Sequence, residues 1–477
     1  MQLSQLMKRI VDIPQEKDRD VSFVTDRIEK VESGCAFVCI DGKNNSGYIY
    51  AKDAVKNGAV CVISEKDIGL EEQIIVDNSR RAYTLMCSAL CGNPADRLKM
   101  IGVTGTNGKT SSAFLLRELL ENSGKKTGLI GTVEILAGDK KYLPVMTTPE
   151  PPELFGLLKE MVECGCEYCV IEASSQGLDQ QRLAGIEFEI GIFTNLTEDH
   201  LDYHSTMQEY KNAKRKLFEH SKTAVVNIDD EYGEEMTRGL PVKTVTYSIK
   251  NDDADYTAKN VELSEDSIKY EFVGMGIIGR VKLPMPGRFS VYNSMAAAAA
   301  AIELGVDMMC ISGTFARSKG IRGRMETLET GKDFSVIIDY AHTPDGLENL
   351  LTSVREVYKG SIITVFGCGG DRDRMKRPIM GETVGRLSDV ALVTSDNPRS
   401  EEPEKIIEDI MAGLENSKAK VYRITDRTQA IKKALSLAKE GDVVVLAGKG
   451  HETYQVLKDG KIHFDEREIV KDILDNK

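Results

Sequence analysis

Val103-Thr104-Gly105-Thr106-Asn107-Gly108-Lys109-Thr110-Ser111-Ser112 is the stretch on which the fold turns. The apolar run Leu98 to Val103 before it reads as a buried strand. Ala113 to Leu120 after it carries the apolar spacing of a helix that ends near Gly124. A strand, a glycine-rich turn and a helix N-terminus make an anion cradle, because free backbone N–H groups and the helix dipole converge on one point. Lys109 then reaches the terminal phosphates of a nucleotide, and the Thr110 hydroxyl reaches a Mg²⁺ ion. The longer pattern G-x-x-x-x-G-K-S/T wants glycine where this chain has Val103, so the turn is a shortened relative of it. A solvated turn with a surface lysine is the plain alternative, but strand, glycines, Lys-Thr pair and helix all fall in register. The stretch predicts a nucleoside triphosphate as ligand.

At 477 residues the chain exceeds one ordinary core and suggests about three domains. With 29% charged and 41% hydrophobic residues, its balance is that of a globular protein. The net charge of -13 argues against nucleic acid or an anionic membrane as partner, so local basic groups must meet any polyanionic ligand. No apolar run has the length of a membrane span and Met1 to Ile10 lacks a signal-peptide core, which points to the cytoplasm. A monomer working on small-molecule substrates is the matching expectation. Among ten cysteines, Cys164, Cys166 and Cys169 are close enough for a metal knuckle, yet two of them enter the apolar run Tyr168 to Glu172. Buried free thiols in a reducing compartment are the better reading.

Residues 1 to 96 read as a small α/β unit, with short strands at Phe37 to Ile40 and Ala59 to Ile63 and a helix between them. Asn93-Pro94 makes a linker. From 97 to 325 strands and helices alternate, which means a mostly parallel sheet, although 242–285 looks more antiparallel. The alanine-rich helix Tyr292 to Leu304 must pack closely against a neighbour. A third α/β pattern fills 326–477, with strands at Val336 to Ile338, Ile362 to Phe366, Val390 to Val393 and Val443 to Leu446.

Chemistry-bearing residues gather after strand ends. Glu172 ends one strand, where open α/β sheets place their ligands. Thr194-Asn195-Leu196-Thr197-Glu198-Asp199-His200-Leu201-Asp202-Tyr203-His204 follows another, with three carboxylates and two of the six histidines. Carboxylate and imidazole beside a triphosphate suit a metal, although a polar loop of caps is the simpler possibility. In the third unit, Asp339-Tyr340-Ala341-His342-Thr343-Pro344, Gly367-Cys368-Gly369-Gly370-Asp371-Arg372-Asp373, Asp396-Asn397-Pro398-Arg399 and Gly448-Lys449-Gly450-His451-Glu452 each follow a strand. Any one could be a turn. Four together describe the rim of a cleft, and arginine there suits a carboxylate through its two-pronged fork.

These motifs resemble the Mur ligases, and the third unit's glycine-rich turn with Asp396-Asn397-Pro398-Arg399 looks like the members that add meso-diaminopimelate. The resemblance runs from about 98 to 470. It implies a three-domain α/β protein: a small N-terminal uridine-binding domain over 1–96, a central P-loop-type ATPase domain over 97–325, and a Rossmann-like amino-acid-binding domain over 326–477. It also implies ATP-dependent amide formation on UDP-MurNAc-L-Ala-D-Glu through an acyl phosphate, in cytoplasmic peptidoglycan precursor synthesis.

By the same resemblance, Gly105, Thr106, Asn107, Gly108, Lys109, Thr110, Ser111, Asn293, Arg324 and Asp339 meet ATP. Thr110, Glu172, His200 and a carbamylated Lys214 hold Mg²⁺, while Lys109, Glu172, His200, Lys214 and His342 form the catalytic set. Thr147, Thr148, Ser174, Gln180 and Arg182 contact the UDP-MurNAc-dipeptide. Arg372, Asp396, Asn397, Pro398, Arg399, Gly448 and Glu452 contact diaminopimelate, with Arg399 reading the carboxylate that lysine lacks. The N-terminal unit departs from the family. Its D-S-R falls on Arg27-Ile28-Glu29 without gaps, or is replaced by Thr25-Asp26-Arg27 with a slip, and its D-G-H becomes Ser46-Gly47-Tyr48. A lysine-adding member, a paralogue acting on a modified muropeptide and a folylpolyglutamate synthetase-like ligase are the alternative readings. A nucleotide switch or motor ATPase leaves the third-unit cleft unexplained.

Overall fold

The structure, a computed structural model, describes residues 1–42 and 46–475. Three α/β units follow one another. In the first, β1 (Phe23–Thr25), β2 (Cys35–Val38), β3 (Cys61–Ser64) and β4 (Gln73–Ile75) pair in parallel in that order. Helix Ala51–Lys56 covers one face and helix Ser79–Leu90 the other, so β2 and β3 are apolar without alternation.

The central sheet is 11-stranded. Its strands are β5 (Lys99–Thr104), β6 (Thr127–Ile130), β7 (Ile135–Ala137), β8 (Lys140–Tyr142), β9 (Tyr168–Glu172), β10 (Phe188–Phe193), β11 (Ser221–Asn227), β12 (Lys243–Ser248), β13 (Tyr256–Leu263), β14 (Ile268–Gly274) and β15 (Ile277–Leu283). They lie in the order β15-β14-β13-β12-β11-β10-β5-β9-β6-β7-β8. From β13 to β6 all neighbours are parallel; β13 to β15 form an antiparallel meander and β6 to β8 another. The antiparallel character expected from residue 242 therefore begins only beyond β13. β12 still continues the crossover pattern, reached from β11 through a 3-10 turn at Glu234–Met236. β5 sits between β9 and β10, with Val103 opposite Glu172 and Thr104 opposite Phe193. Register alone thus brings the cradle, Glu172 and Thr194 to one sheet edge. Helix Arg288–Glu303 lies against helix Lys109–Asn122, and its fully buried Ala296 to Ala301 are small enough for the two backbones to approach.

The third sheet contains β16 (Glu326–Leu328), β17 (Ser335–Asp339), β18 (Ile362–Phe366), β19 (Val390–Val393), β20 (Lys420–Arg423) and β21 (Val443–Ala447), in the order β16-β17-β21-β18-β19-β20. All but β16 are parallel, and apolar cores lie on both faces. A hairpin of β22 (Tyr454–Leu457) and β23 (Gly460–His463) follows. The four third-unit motifs leave the C-terminal ends of β17, β18, β19 and β21, which are neighbours, so they share one rim. All ten cysteines are free and seven are buried. No helix among the described residues is long and apolar enough to cross a membrane.

Candidate active site

The turn after β5 is shaped by close approach. Gly105 and Gly108 have φ of 148° and 84°, and a Cβ on either would collide, with Thr194 Oγ1 and Asn293 Oδ1 respectively. Asn195 holds the loop from the other side, accepting from Asn107 N at 2.9 Å through Oδ1 and from Thr106 N at 2.8 Å through its carbonyl. Lys109 curls back, and its Nζ donates to Gly105 O at 3.0 Å and Thr106 O at 2.9 Å. Desolvation pushes its pKa below the ordinary lysine range, with Glu172 and Asp199 pulling the other way. Ser111 is buried in the first helical turn.

Glu172 is fully buried. Its Oε1 accepts from Thr132 N at 2.8 Å, and its Oε2 accepts from the hydroxyls of Thr110 and Thr132, each at 3.0 Å. No basic group among the described residues forms an ion pair with it within 4.0 Å. Lys214, 1% exposed, donates to Gly105 O at 2.7 Å and stands 4.3 Å from the Tyr210 ring, also without a carboxylate in ion-pair range among the described residues. Desolvation drives its pKa far below the lysine range, and Lys109 adds to the effect. His200, in the left-handed region at φ 55°, has Nε2 3.5 Å from Asp199 Oδ2. Desolvation lowers its pKa, Asp199 opposes that, and Lys109 and Lys214 add to it.

Two further contacts close on this loop, one from Arg324 at the junction with the third unit and one from Asp345 within it. Arg324 Nη2 donates to Thr110 Oγ1 at 3.0 Å, while its guanidinium lies 4.9 Å from the Tyr340 ring. Asp345 Oδ2 accepts from Asn107 Nδ2 at 2.6 Å and from Thr197 Oγ1 at 2.9 Å. Tyr340 also stacks edge-on with His342 at 4.7 Å and lies 4.9 Å from His451. Asp339 faces inward instead: its two oxygens accept from Met325 N and Ala341 N, and burial raises its pKa against the pull of Arg324.

Thr147, Thr148, Ser174, Gln180 and Arg182 form one chain of contacts beside Glu172. Thr147 Oγ1 meets Thr132 Oγ1 at 3.0 Å, Thr148 Oγ1 donates to Glu172 O at 2.7 Å and meets Ser174 Oγ at 2.9 Å, and Ser174 caps the short helix Ser175–Asp179. Arg182 donates to Thr148 O and Gln180 Oε1 and pairs with Glu150 at 2.7 Å. Asp26, Arg80 and Tyr83 of the first unit border the same place, lining a crevice with Gln180 and Arg182.

On the third-unit rim, Asn397, Gly448, Glu452 and Asp396 converge, and a Cβ on Gly448 would stand 2.8 Å from Asp396 Oδ2. Arg399 has φ 53°; its N–H is bonded to Val456 O and its Nη1 to Gly370 O at 2.6 Å, and the rest of the fork has no hydrogen-bond partner among the described residues. Pro398 packs its carbonyl against Gly370, and Arg372 is exposed beside Gly369.

Several participants went unread in the sequence. Thr132, a lone polar residue after β6, supplies two donors to Glu172. Asp345 stands one residue beyond a quoted motif, where a helix N-terminus favours an acid. Lys449 lies inside a quoted motif. Arg427 and Glu466, buried and bonded at 2.8 Å, carry no local signal.

The chain matches the family model of the Mur ligase middle domain over residues 103–301 and that of the Mur ligase glutamate ligase domain over residues 323–450. It is 47% identical over 458 residues to the UDP-N-acetylmuramoyl-L-alanyl-D-glutamate--2,6-diaminopimelate ligase of Clostridium perfringens, with 94% of each chain covered. The ligase of the same name from Clostridium botulinum is 42% identical over 470 residues, 96% of each chain. A solved structure of a ligase with that name superimposes with a TM-score of 0.72 at 32% identity, covering 100% of this chain and 99% of that one. Cradle, buried carboxylate and third-unit rim are thus carried on a chain that belongs to the Mur ligase family.

Proposed function

We propose that this chain is an ATP-dependent ligase that joins meso-diaminopimelate to UDP-MurNAc-L-Ala-D-Glu, acting as a cytoplasmic monomer with domains at 1–96, 97–325 and 326–477. The observation that carries the reading is a pair of contacts on the cradle, Arg324 at the junction with the third unit on Thr110, and Asp345 of the third unit on Asn107 and Thr197. It brings the unit that carries the rim against the phosphate loop, as a two-step ligation needs and a simple nucleotide switch does not.

A D-glutamyl carboxylate oxygen attacks the γ-phosphorus of ATP, and ADP leaves. The neutral amine of diaminopimelate adds to the acyl phosphate carbonyl, gives up one proton and expels inorganic phosphate as the amide, which keeps one N–H, forms. Lys109 and the loop N–H groups hold the phosphates in line, Arg324 approaches from the junction between the second and third units, and His342 from the third unit. Positioning and charge neutralisation account for most of the acceleration in such transfers. Mg²⁺ fits the donors present: Glu172 is a buried carboxylate with neutral hydrogen-bond partners and no cation in ion-pair range among the described residues, and Thr110 Oγ1 is a second hard oxygen beside it. Thr110, Glu172, His200 and Lys214 would hold the metal, which supplies neutralisation of the phosphate oxygens. An uncharged amine is the form that adds CO₂, and burial of Lys214 favours that form, so its carbamate would bring a second carboxylate to the cradle.

Thr147, Thr148, Ser174, Gln180 and Arg182 would seat the muropeptide. The free part of the Arg399 fork would pair with the distal carboxylate of diaminopimelate. Phosphate release is measured with ATP, Mg²⁺ and UDP-MurNAc-L-Ala-D-Glu, adding no amino acid, meso-diaminopimelate or L-lysine. Release is expected only with diaminopimelate, and Arg399→Ala lowers its kcat/KM by about 100-fold. Better release with L-lysine would overturn the assignment.

A further inference from the structure

Lys449 is fully buried, yet all three of its protons are used. Its Nζ donates to Asn397 Oδ1 at 2.8 Å, to Glu452 Oε2 at 3.1 Å and to Tyr454 O at 3.0 Å. Asn397 Oδ1 also accepts from Val456 N at 2.9 Å, and Asn397 Nδ2 donates to Glu452 Oε2 at 2.9 Å. A flipped Asn397 amide would set its NH₂ against two donors, Lys449 Nζ and Val456 N, and leave a buried ammonium short of an acceptor. The amide therefore has one allowed orientation. Its oxygen is spent inside the protein, and its second Nδ2 hydrogen, with no acceptor among the described residues, is left for a ligand. Glu452 is fixed likewise: Oε2 takes both internal donors, and Oε1 accepts no hydrogen bond among the described residues.

We infer that Lys449 is the positioning residue that sets the polarity of the amino-acid site, making Asn397 a donor toward a carboxylate and Glu452 an acceptor toward an ammonium group. The inference rests on the function proposed above, in which these two residues meet diaminopimelate. Lys449 touches no substrate; it acts through Asn397 and Glu452. Without its cation, the Asn397 amide can turn over and offer oxygen to a carboxylate.

Steady-state kinetics of Lys449→Met test this. KM for meso-diaminopimelate rises about 30-fold, in line with loss of a buried charged hydrogen bond, while KM for ATP stays within about twofold. Lys449→Gln, which keeps one donor for Asn397, recovers part of the loss and carries the test if the methionine variant does not fold. An unchanged KM for diaminopimelate, or equal rises for both substrates, overturns the inference. Absence of diaminopimelate-dependent phosphate release by the unsubstituted chain overturns the proposed function itself, and this inference with it.

Discussion

The cradle and the third-unit rim meet charge in opposite ways. Around the cradle, burial works against the positive charge of the protein's own bases. Desolvation lowers Lys109, Lys214 and His200, and brings His204 down to about 4. In the third unit, charges are already matched. Arg377 and Arg427 are held above the ordinary arginine range despite the cost of burial, the first by Glu401 and Asp409 and the second by Glu466 and Asp396. The Arg377 hydrogen bonds in turn bring Glu401 down to about 2. One region waits for charge that arrives with nucleotide and metal; the other is assembled before any ligand comes. Substitutions in the first should cost turnover, and in the second stability or recognition.

The largest effect expected is for Glu172→Gln, which leaves the volume but removes the cradle's buried negative charge. Phosphate release at saturating substrate falls by about 10³-fold with little change in Tm. Activity within tenfold of the parent would break the contrast. Next comes Arg427→Ala, which strands Glu466 and Asp396 without their cation. Urea unfolding should show a loss of about 3–5 kcal/mol. A change below 1 kcal/mol would mean the third-unit charges are not interdependent. Asp345→Ala sharpens the boundary between the regions, because it cuts a contact from one to the other. We expect kcat to fall about tenfold while KM for diaminopimelate holds, with Asp345→Asn in between.

The smallest effect concerns pH. His204 is 4% exposed, with its Nε2 lacking a hydrogen-bond partner among the described residues. Its folded pKa lies below the ordinary histidine value of about 6.5, so the unfolded chain takes up the proton first. The stability it contributes is complete above about 6.5 and is lost as pH falls toward 4. His204→Phe, between Tyr203 and Tyr210, should flatten the decline of the urea midpoint between pH 7 and 5. An equally steep decline would show that some other group dominates the acid limb.

The cradle was legible because its parts are contiguous: strand, two constrained glycines, Lys-Thr and helix lie within a few residues of Gly105. Strand ends also announced themselves, since Glu172, Asp396 and Gly448 each follow an unbroken apolar run. What held these groups in place was less visible. Thr132 reaches Glu172 because β6 and β9 are neighbours, and neighbourhood in a sheet is set by crossovers that no short motif encodes. Asp339 read as a nucleotide contact; that its oxygens also accept from the backbone of Met325 and Ala341 was not legible, because the turn at Met325 is made only in the fold. Arg427 and Glu466 are 39 positions apart and meet only after the third sheet is complete.

One apolar core passes from Leu3, Leu6 and Met7 through helix Ser79–Leu90 to Phe188 on the central sheet and to Leu217 and Met236, which pack in the same cluster. The first unit thus has no separate interior on that side, whereas the third sheet closes two cores of its own. Calorimetrically the molecule is then a pair rather than a trio: the first two units melt together and the third melts apart. A protease cut near Asn93 would leave its fragments clasped, while one between Ser318 and Gly323 would free a folded carboxyl-terminal piece.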